Sequence, residues 1–196
     1  LYEYIKGLKD RRYTYRLVFV TETIGAITYL SRNLDEMKAN IIAGYNLSCV
    51  GDDRTYSYIE SRYGDTLADR VAVDVLKYHY PDYVHYSFRD RGSDERQYNA
   101  PGVDLPVAAI CRSKFGEFPE YHTSKDDLSL ISPEGLEGGF TVYRKCIDVL
   151  ENNYHYQVTC FCEPQLGKRG LYPTVSKKGS YDSILLMRDV IAYSDG

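Results

Sequence analysis

The sequence predicts an α/β sandwich, a sheet covered on both faces by helices. Three observations carry that reading. Leu105–Cys111 is a short apolar run with no polar alternation, bounded by Pro101-Gly102 and Gly116, as expected of a strand buried on both faces. Two long segments show helical spacing of apolar residues: Leu67, Ala68, Val71, Ala72, Val75 and Leu76 after Gly64-Asp65, and Leu136, Phe140, Tyr143, Ile147 and Leu150 after Pro133. Strand-like and helix-like segments alternate along the chain, which is the signature of this class.

Taken in order, Leu1, Tyr4, Ile5 and Leu8 share one helical face, although no cap residue precedes them. Tyr15–Val20 (YRLVFV) is rich in β-branched and aromatic residues and predicts a strand. Thr21-Glu22-Thr23-Ile24-Gly25 follows, leading into a helical run from about Ile24 to Arg32. Ile41–Gly51 reads as a second strand, and Thr55–Glu60 alternates as a strand at or near an edge. The helix opening at Gly64-Asp65 comes next, then a short strand over Val84–Phe88. The stretch from Ser93 to Leu128 holds the central strand and the polar loop after it, with Glu117, Glu120, Tyr121, His122, Asp126 and Asp127. A helix over Pro133 to about Asn152 has Ser132 as cap and proline at its first position. From 160 to 179 the composition turns to Gly, Pro and Lys, which predicts a linker. Helical spacing returns over Ser180–Ala192. The expected organisation is one α/β domain over 1–159, a linker over 160–179 and the start of a second domain over 180–196. With no initiating methionine and a helical pattern at each end, the chain reads as a fragment of a longer protein.

Composition narrows the function classes. The net charge is −4 and no face-sized Lys/Arg cluster stands out, which argues against a nucleic-acid surface. No apolar run approaches the ~18 residues a membrane span needs, and no signal peptide is visible. Five cysteines (Cys49, Cys111, Cys146, Cys160, Cys162) fit reduced thiols in a cytoplasmic protein better than a disulfide framework. Cys160-Phe161-Cys162 is too closely spaced for a zinc knuckle, and no second pair exists. The 21 tyrosines and absent tryptophan have no physical account beyond packing and surface use.

Candidate chemistry centres on the ends of strands, where ligands collect in α/β sheets. Glu22 at a strand-to-helix turn has two readings, a charge complementing the helix dipole or a catalytic carboxylate. His122 stands among carboxylates after the buried strand, and neutral imidazole is a common metal ligand, though a lone loop histidine need not be one. His79, His85 and His155 read as solvated or as helix-end cations. There is no glycine-rich phosphate loop, no G-x-S-x-G elbow and no H-E-x-x-H.

Several runs together carry a resemblance. Thr21–Gly25 after a strand, Tyr45–Gly51, Ser93-Asp94 with Pro106-Val107 downstream, and Tyr121-His122-Thr123-Ser124 with Asp126 and Leu128 resemble, in that order, the zinc aminopeptidases. These are co-catalytic metallopeptidases whose fold also serves glutamate carboxypeptidase and glutaminyl cyclase. Asp94–Tyr98, Leu105–Val107, Glu120–Ser124 and Cys162–Gly167 are similar to a bacterial branch, the aminopeptidase-like domain of unknown function. The resemblance covers nearly the whole chain. It implies a three-layer fold with a mixed, mostly parallel sheet, here truncated, followed by a small winged-helix domain that begins at 180.

It also implies roles. Glu22 matches a general base and His122 a late zinc ligand. Thr23 and Ser48 stand where the family has ligand carboxylates, while Asp52 and Asp53 are poor substitutes. An early histidine and a bridging aspartate would lie before Tyr15, outside this chain. The intact protein then resembles a one-zinc enzyme acting on a peptide or small amide substrate, and this fragment is expected to hold zinc weakly and to be inactive. Glu95, Arg96 and Tyr98 are candidates for substrate contacts, with a salt bridge bracing the loop as the alternative. A non-catalytic binding module and single-zinc cyclase chemistry stay open, though without tryptophan the cyclase's aromatic pocket is hard to build. An exposed sheet edge is expected to favour a homodimer.

Overall fold

The computed structural model describes residues 1–171 and 182–195. They form two compact units, residues 1–151 and 152–196. In the first unit the order is α1 (Tyr2–Gly7), α2 (Ile24–Asn40), β1 (Gly44–Asn46), β2 (Ser57–Ile59), α3 (Leu67–His79), β3 (Val84–Tyr86), α4 (Glu95–Tyr98), β4 (Val107–Cys111) and α5 (Pro133–Asn152). The four strands make one sheet in the order β1-β4-β2-β3. β1 runs parallel to β4 and β2 parallel to β3, while β2 and β4 are antiparallel. The fold is therefore α/β with a mixed sheet.

All five residues of β4 are buried, and the pleat assigns them alternately to two faces. Ala108 and Ile110 join Tyr58 of β2 against α3 (Ala68, Val71, Ala72, Val75, Leu76) and α5 (Val142, Tyr143, Cys146, Leu150). On the other face Val107 packs with Leu30 and Met37 of α2, and Ala109 and Cys111 pack with Ile59 and Phe115. Thr66 caps α3 in a capping box with Asp69, and Ser132 caps α5 by accepting from Gly135 N at 2.9 Å. Each cap satisfies an orphan amide of the first turn.

Several elements differ from the sequence expectation. Tyr15–Val20 forms no strand and no ladder with any described segment, and Phe19 is 89% exposed. β-propensity reports fitness for a half-buried pleated surface, and here no strand lies alongside to provide one. The second strand shrinks to Gly44–Asn46 because Tyr143 takes Asn46 O as an acceptor and Cys49 turns the chain at φ 49°. β2, by contrast, lies near an edge as expected, between β4 and the edge strand β3. α2 runs on to Asn40 because Leu30, Leu34 and Met37 prolong its apolar stripe. The buried face of α5 is rotated: Gly135, Gly139, Val142, Tyr143, Cys146, Ile147 and Leu150 are buried, while Leu136 is half exposed. The missing side chains are the reason. A Cβ at Gly135 would stand 2.0 Å from Gly51 O, and one at Gly139 2.5 Å from Val50 O, so the helix approaches the 50–52 loop through its glycines.

The second unit has a 3-10 turn (Leu166–Arg169), α6 (Asp182–Ala192) and an antiparallel bridge between Gln157 and Asp195. Leu166 and Ile184 are its buried apolar side chains. Residues 172–179 of the expected linker, and the start of the expected last helix at 180–181, lie outside the described residues. Among the described residues no helix is long and apolar enough to cross a membrane.

Candidate functional site

The carboxyl ends of β1 and β4 open toward the same region, and Arg112 N donates to Cys49 O at 2.7 Å just beyond them. Three of the candidate segments have an unusual backbone residue: Thr23 (φ 62°), Cys49 (φ 49°) and His122 (φ 56°). Non-glycine residues at positive φ are uncommon, and a β-branched one is an outlier. Such strain costs on the order of 1–3 kcal/mol each and persists only where surrounding contacts over-determine it.

Thr23 is the sharpest case. With φ 62° and ψ −71°, and Ile24 N donating to Glu22 O at 2.8 Å, residues 22–24 form a classic γ-turn. Asp94 Oδ1 accepts from Thr23 N at 2.7 Å, and Arg96 Nη2 donates to Thr23 Oγ1 at 2.7 Å. Gly25 is needed behind the turn, since a Cβ there would stand 2.7 Å from Val20 Cβ. Glu22 is exposed at the start of this turn.

The residues singled out from the sequence separate into distinct surroundings. Tyr121 and His122 stack, with ring centroids 3.9 Å apart and planes 15° apart. The Tyr121 phenol is pushed up by burial and then by the charges of Cys49, Glu22 and Asp126. The Glu22 charge is thus felt at the Tyr121 phenol, while His122 stacks on the Tyr121 ring. Arg96 is exposed and serves Thr23. Glu95 is fully buried; its carboxylate accepts from Asn46 Nδ2 at 2.8 Å, Gly92 N at 2.8 Å and Ser93 N at 3.0 Å. These neutral donors hold the carboxylate inside the fold, away from the surface, without the salt bridge that was the alternative. Tyr98 is half-buried and packs on the Leu30–Met37 cluster beneath α2.

Three features lie outside the sequence reading. Asp94 is 8% exposed, and burial raises its carboxyl, helped by the charges of Glu22 and Glu95, while the Thr23 amide opposes the shift. Arg54 forms a two-pronged pair with Glu120, at 2.9 and 2.8 Å, just before Tyr121-His122; the pair holds Glu120 low, at about 2. Asp52 accepts from Ser113 N at 2.8 Å and Ser113 Oγ at 2.7 Å, tying the end of β4 to the 51–53 loop. Asp94, Glu120 and Asp52 were each visible in the sequence, but their partners are too far apart in sequence to be paired by spacing.

Ser48 donates to Cys49 Sγ at 3.8 Å. Among the described residues no three His, Cys, Asp or Glu side chains are grouped to hold a metal ion. His122 is one imidazole, and a catalytic zinc needs about three protein donors, so the described residues do not by themselves make up a zinc site. Burial pushes the Cys49 and Cys111 thiols up, away from the thiolate that nucleophilic sulfur requires.

Residues 1–153 match the family model "Domain of unknown function (DUF4910)" and residues 154–196 match a winged helix-turn-helix model. A Clostridium acetobutylicum protein provisionally named a polysaccharide biosynthesis protein with an aminopeptidase-like domain is 42% identical over 171 residues, covering 87% of this chain and 39% of that protein. A crystal structure from Clostridium acetobutylicum, provisionally described as a peptidase, superposes with TM-score 0.85 at 38% identity, over 98% of this chain and 42% of that one. The aminopeptidase of Aneurinibacillus sp. strain AM-1 aligns with TM-score 0.52 at 20% identity, over 65% of this chain and 30% of its own. The LapA aminopeptidase of Legionella pneumophila gives 0.50 at 21% identity, over 65% and 35%. The chain thus spans about two fifths of the length of its Clostridium relatives. It belongs to the family described as domain of unknown function DUF4910, on an aminopeptidase-like α/β fold.

Proposed function

We propose that the intact protein is a hydrolase that cleaves amino-terminal peptide bonds or small amide bonds, with Glu22 as the general base. The observation that carries this reading is the strained γ-turn at Thr23, which begins at the exposed Glu22 carboxylate, whose charge is felt at the Tyr121 phenol on which His122 stacks. Backbone strain of this kind clusters at active sites. A carboxylate held within reach of a bound water can take its proton and return it to the leaving amine. His122 offers an imidazole stacked on the Tyr121 ring.

Zinc dependence enters as a proposal for the longer protein alone. His122 would be one ligand there and donors from outside this chain the others; when bound, the ion would supply Lewis acidity. This chain by itself is then expected not to turn over substrate. A cytoplasmic location and a homodimer through the open edge of β1 belong to the same reading; a strict monomer at high concentration in sedimentation would remove the dimer.

The test is zinc content and hydrolysis of aminoacyl anilides by the full-length protein, wild type beside Glu22→Gln. The expected outcome is turnover in the wild type and a loss of about 10²–10⁴-fold in the variant. Metal bound without turnover in either form would favour a non-catalytic binding module. One observation supports that second reading: Thr23, at a position where the resemblance expects a ligand, has its amide and hydroxyl occupied by Asp94 and Arg96.

A further inference from the structure

We propose that Asp94 and Arg96 are positioning residues for Glu22: they hold Thr23 in its γ-turn and so fix the direction in which the Glu22 carboxylate leaves the chain. The proposal rests on the reading of Glu22 as the base. A threonine left to itself avoids φ 62°, ψ −71°, because its branched Cβ crowds the backbone there. Releasing the turn would rotate the peptide between residues 22 and 23 and swing the carboxylate with it.

Two contacts oppose that release, and both come from one short element. Asp94 Oδ1 takes the Thr23 amide and Arg96 takes the Thr23 hydroxyl, each at 2.7 Å. Between them Glu95, fully buried, ties the same turn of chain to Asn46 at the end of β1. Asn99, at the far end of that element, donates to Val107 O of β4 at 2.7 Å. The clamp is thereby referenced to the two strands whose ends define the site. A placement error of about 1 Å at a reacting group can cost 10²-fold in rate, so a rigid reference of this sort has a use.

The charge arrangement separates positioning from simple bracing. Asp94 is a nearly buried carboxylate that feels the charges of Glu22 and Glu95, and like charges in such a place raise each other's energy. An asparagine would accept the Thr23 amide without that repulsion. Asp94→Asn is therefore expected to be at least as stable as wild type, while Asp94→Ala removes the acceptor altogether.

The test measures amide exchange across residues 22–25 and steady-state hydrolysis of an aminoacyl anilide, both in the full-length protein. In Asp94→Ala the Thr23 amide is expected to lose protection by about 10-fold or more, and kcat to fall about 10- to 100-fold with KM nearly unchanged. Asp94→Asn is expected to retain both. Adding Thr23→Gly to Asp94→Ala restores part of kcat, because glycine takes positive φ without strain. Should Asp94→Ala not fold, Arg96→Met reads the same clamp through the hydroxyl, with the same direction of change. Unchanged Thr23 protection in Asp94→Ala, or in Arg96→Met if that is the variant that folds, overturns the proposal. So does Asp94→Asn matching Asp94→Ala in both measurements. If no form turns over, the hydrolase reading fails, and the exchange measurement by itself decides whether the clamp exists.

Discussion

Asp69→Asn probes the most heavily hydrogen-bonded carboxylate in the chain. Asp69 is 1% exposed and accepts from Tyr58 OH at 2.6 Å, Ser61 N at 2.8 Å and Ser61 Oγ at 2.5 Å. Its other contacts are Thr66 N at 2.9 Å and Thr66 Oγ1 at 2.6 Å. Asparagine keeps one acceptor oxygen, which can still serve Tyr58 and the Ser61 amide. Its NH2 replaces the oxygen that faces Ser61 Oγ and Thr66. The two hydroxyls can rotate to accept, but the Thr66 amide cannot, and it is left facing a donor. An orphaned donor costs about 1–3 kcal/mol, and the surviving bonds lose their charge assistance, so the total is about 2–4 kcal/mol. For a unit of this size that lowers Tm by roughly 5–15 °C.

The assay is urea unfolding with an unchanged m-value, repeated from pH 7 downward. Burial pushes the Asp69 carboxyl up, but the bonds from Ser61, Thr66 and Tyr58 outweigh it and hold it below its ordinary value. A depressed carboxyl contributes stability above its unfolded value, near 4, and loses it as pH falls through the lower folded value. The gap between wild type and Asp69→Asn should therefore hold at neutral pH and close below about pH 4. A variant within about 1 °C of wild type at pH 7, or a gap that does not narrow in acid, would refute the reasoning.

Other consequences can be checked separately. Burial pushes the Cys146 thiol up to about 12 and raises Cys111 as well; both should resist alkylation until unfolding, whereas exposed Cys162 should label at once, as read by mass spectrometry. Gly135→Ala should destabilise by about 1–3 kcal/mol despite alanine's higher helix propensity, because the added carbon meets backbone at Gly51 and Asp52. Gly7→Ala, with nothing within 4 Å of the new carbon, should be neutral or slightly stabilising in the same melts. Arg54→Met should speed proteolysis within residues 112–132 without moving Tm, and about 0.5 M salt should do the same to wild type, since the Arg54–Glu120 pair is partly exposed.

The bounds of α5 were legible from Ser132-Pro133 and the apolar spacing that follows, because capping and periodicity are local physics. The buried strand at 107–111 was legible for the same reason: five consecutive small or apolar residues have no polar face to offer. Which face of α5 turns inward was not, since Gly135 and Gly139 bury themselves through what the neighbouring loop lets approach. Nor was the state of Tyr15–Val20, because a strand needs a partner and propensity describes only one side of the pair.

At the candidate site the residue types of Glu22 and His122 could be named from motif order. The stacking of His122 on Tyr121 could not, and neither could the separate surroundings of Glu95, buried among amides, of Arg96, bonded to Thr23, and of Tyr98, packed against the α2 cluster. The chain by itself determined the elements whose causes lie within a few residues. Tertiary structure decided everything that depends on what stands across a gap, above all the Thr23 turn, whose strain is held by partners some seventy positions away.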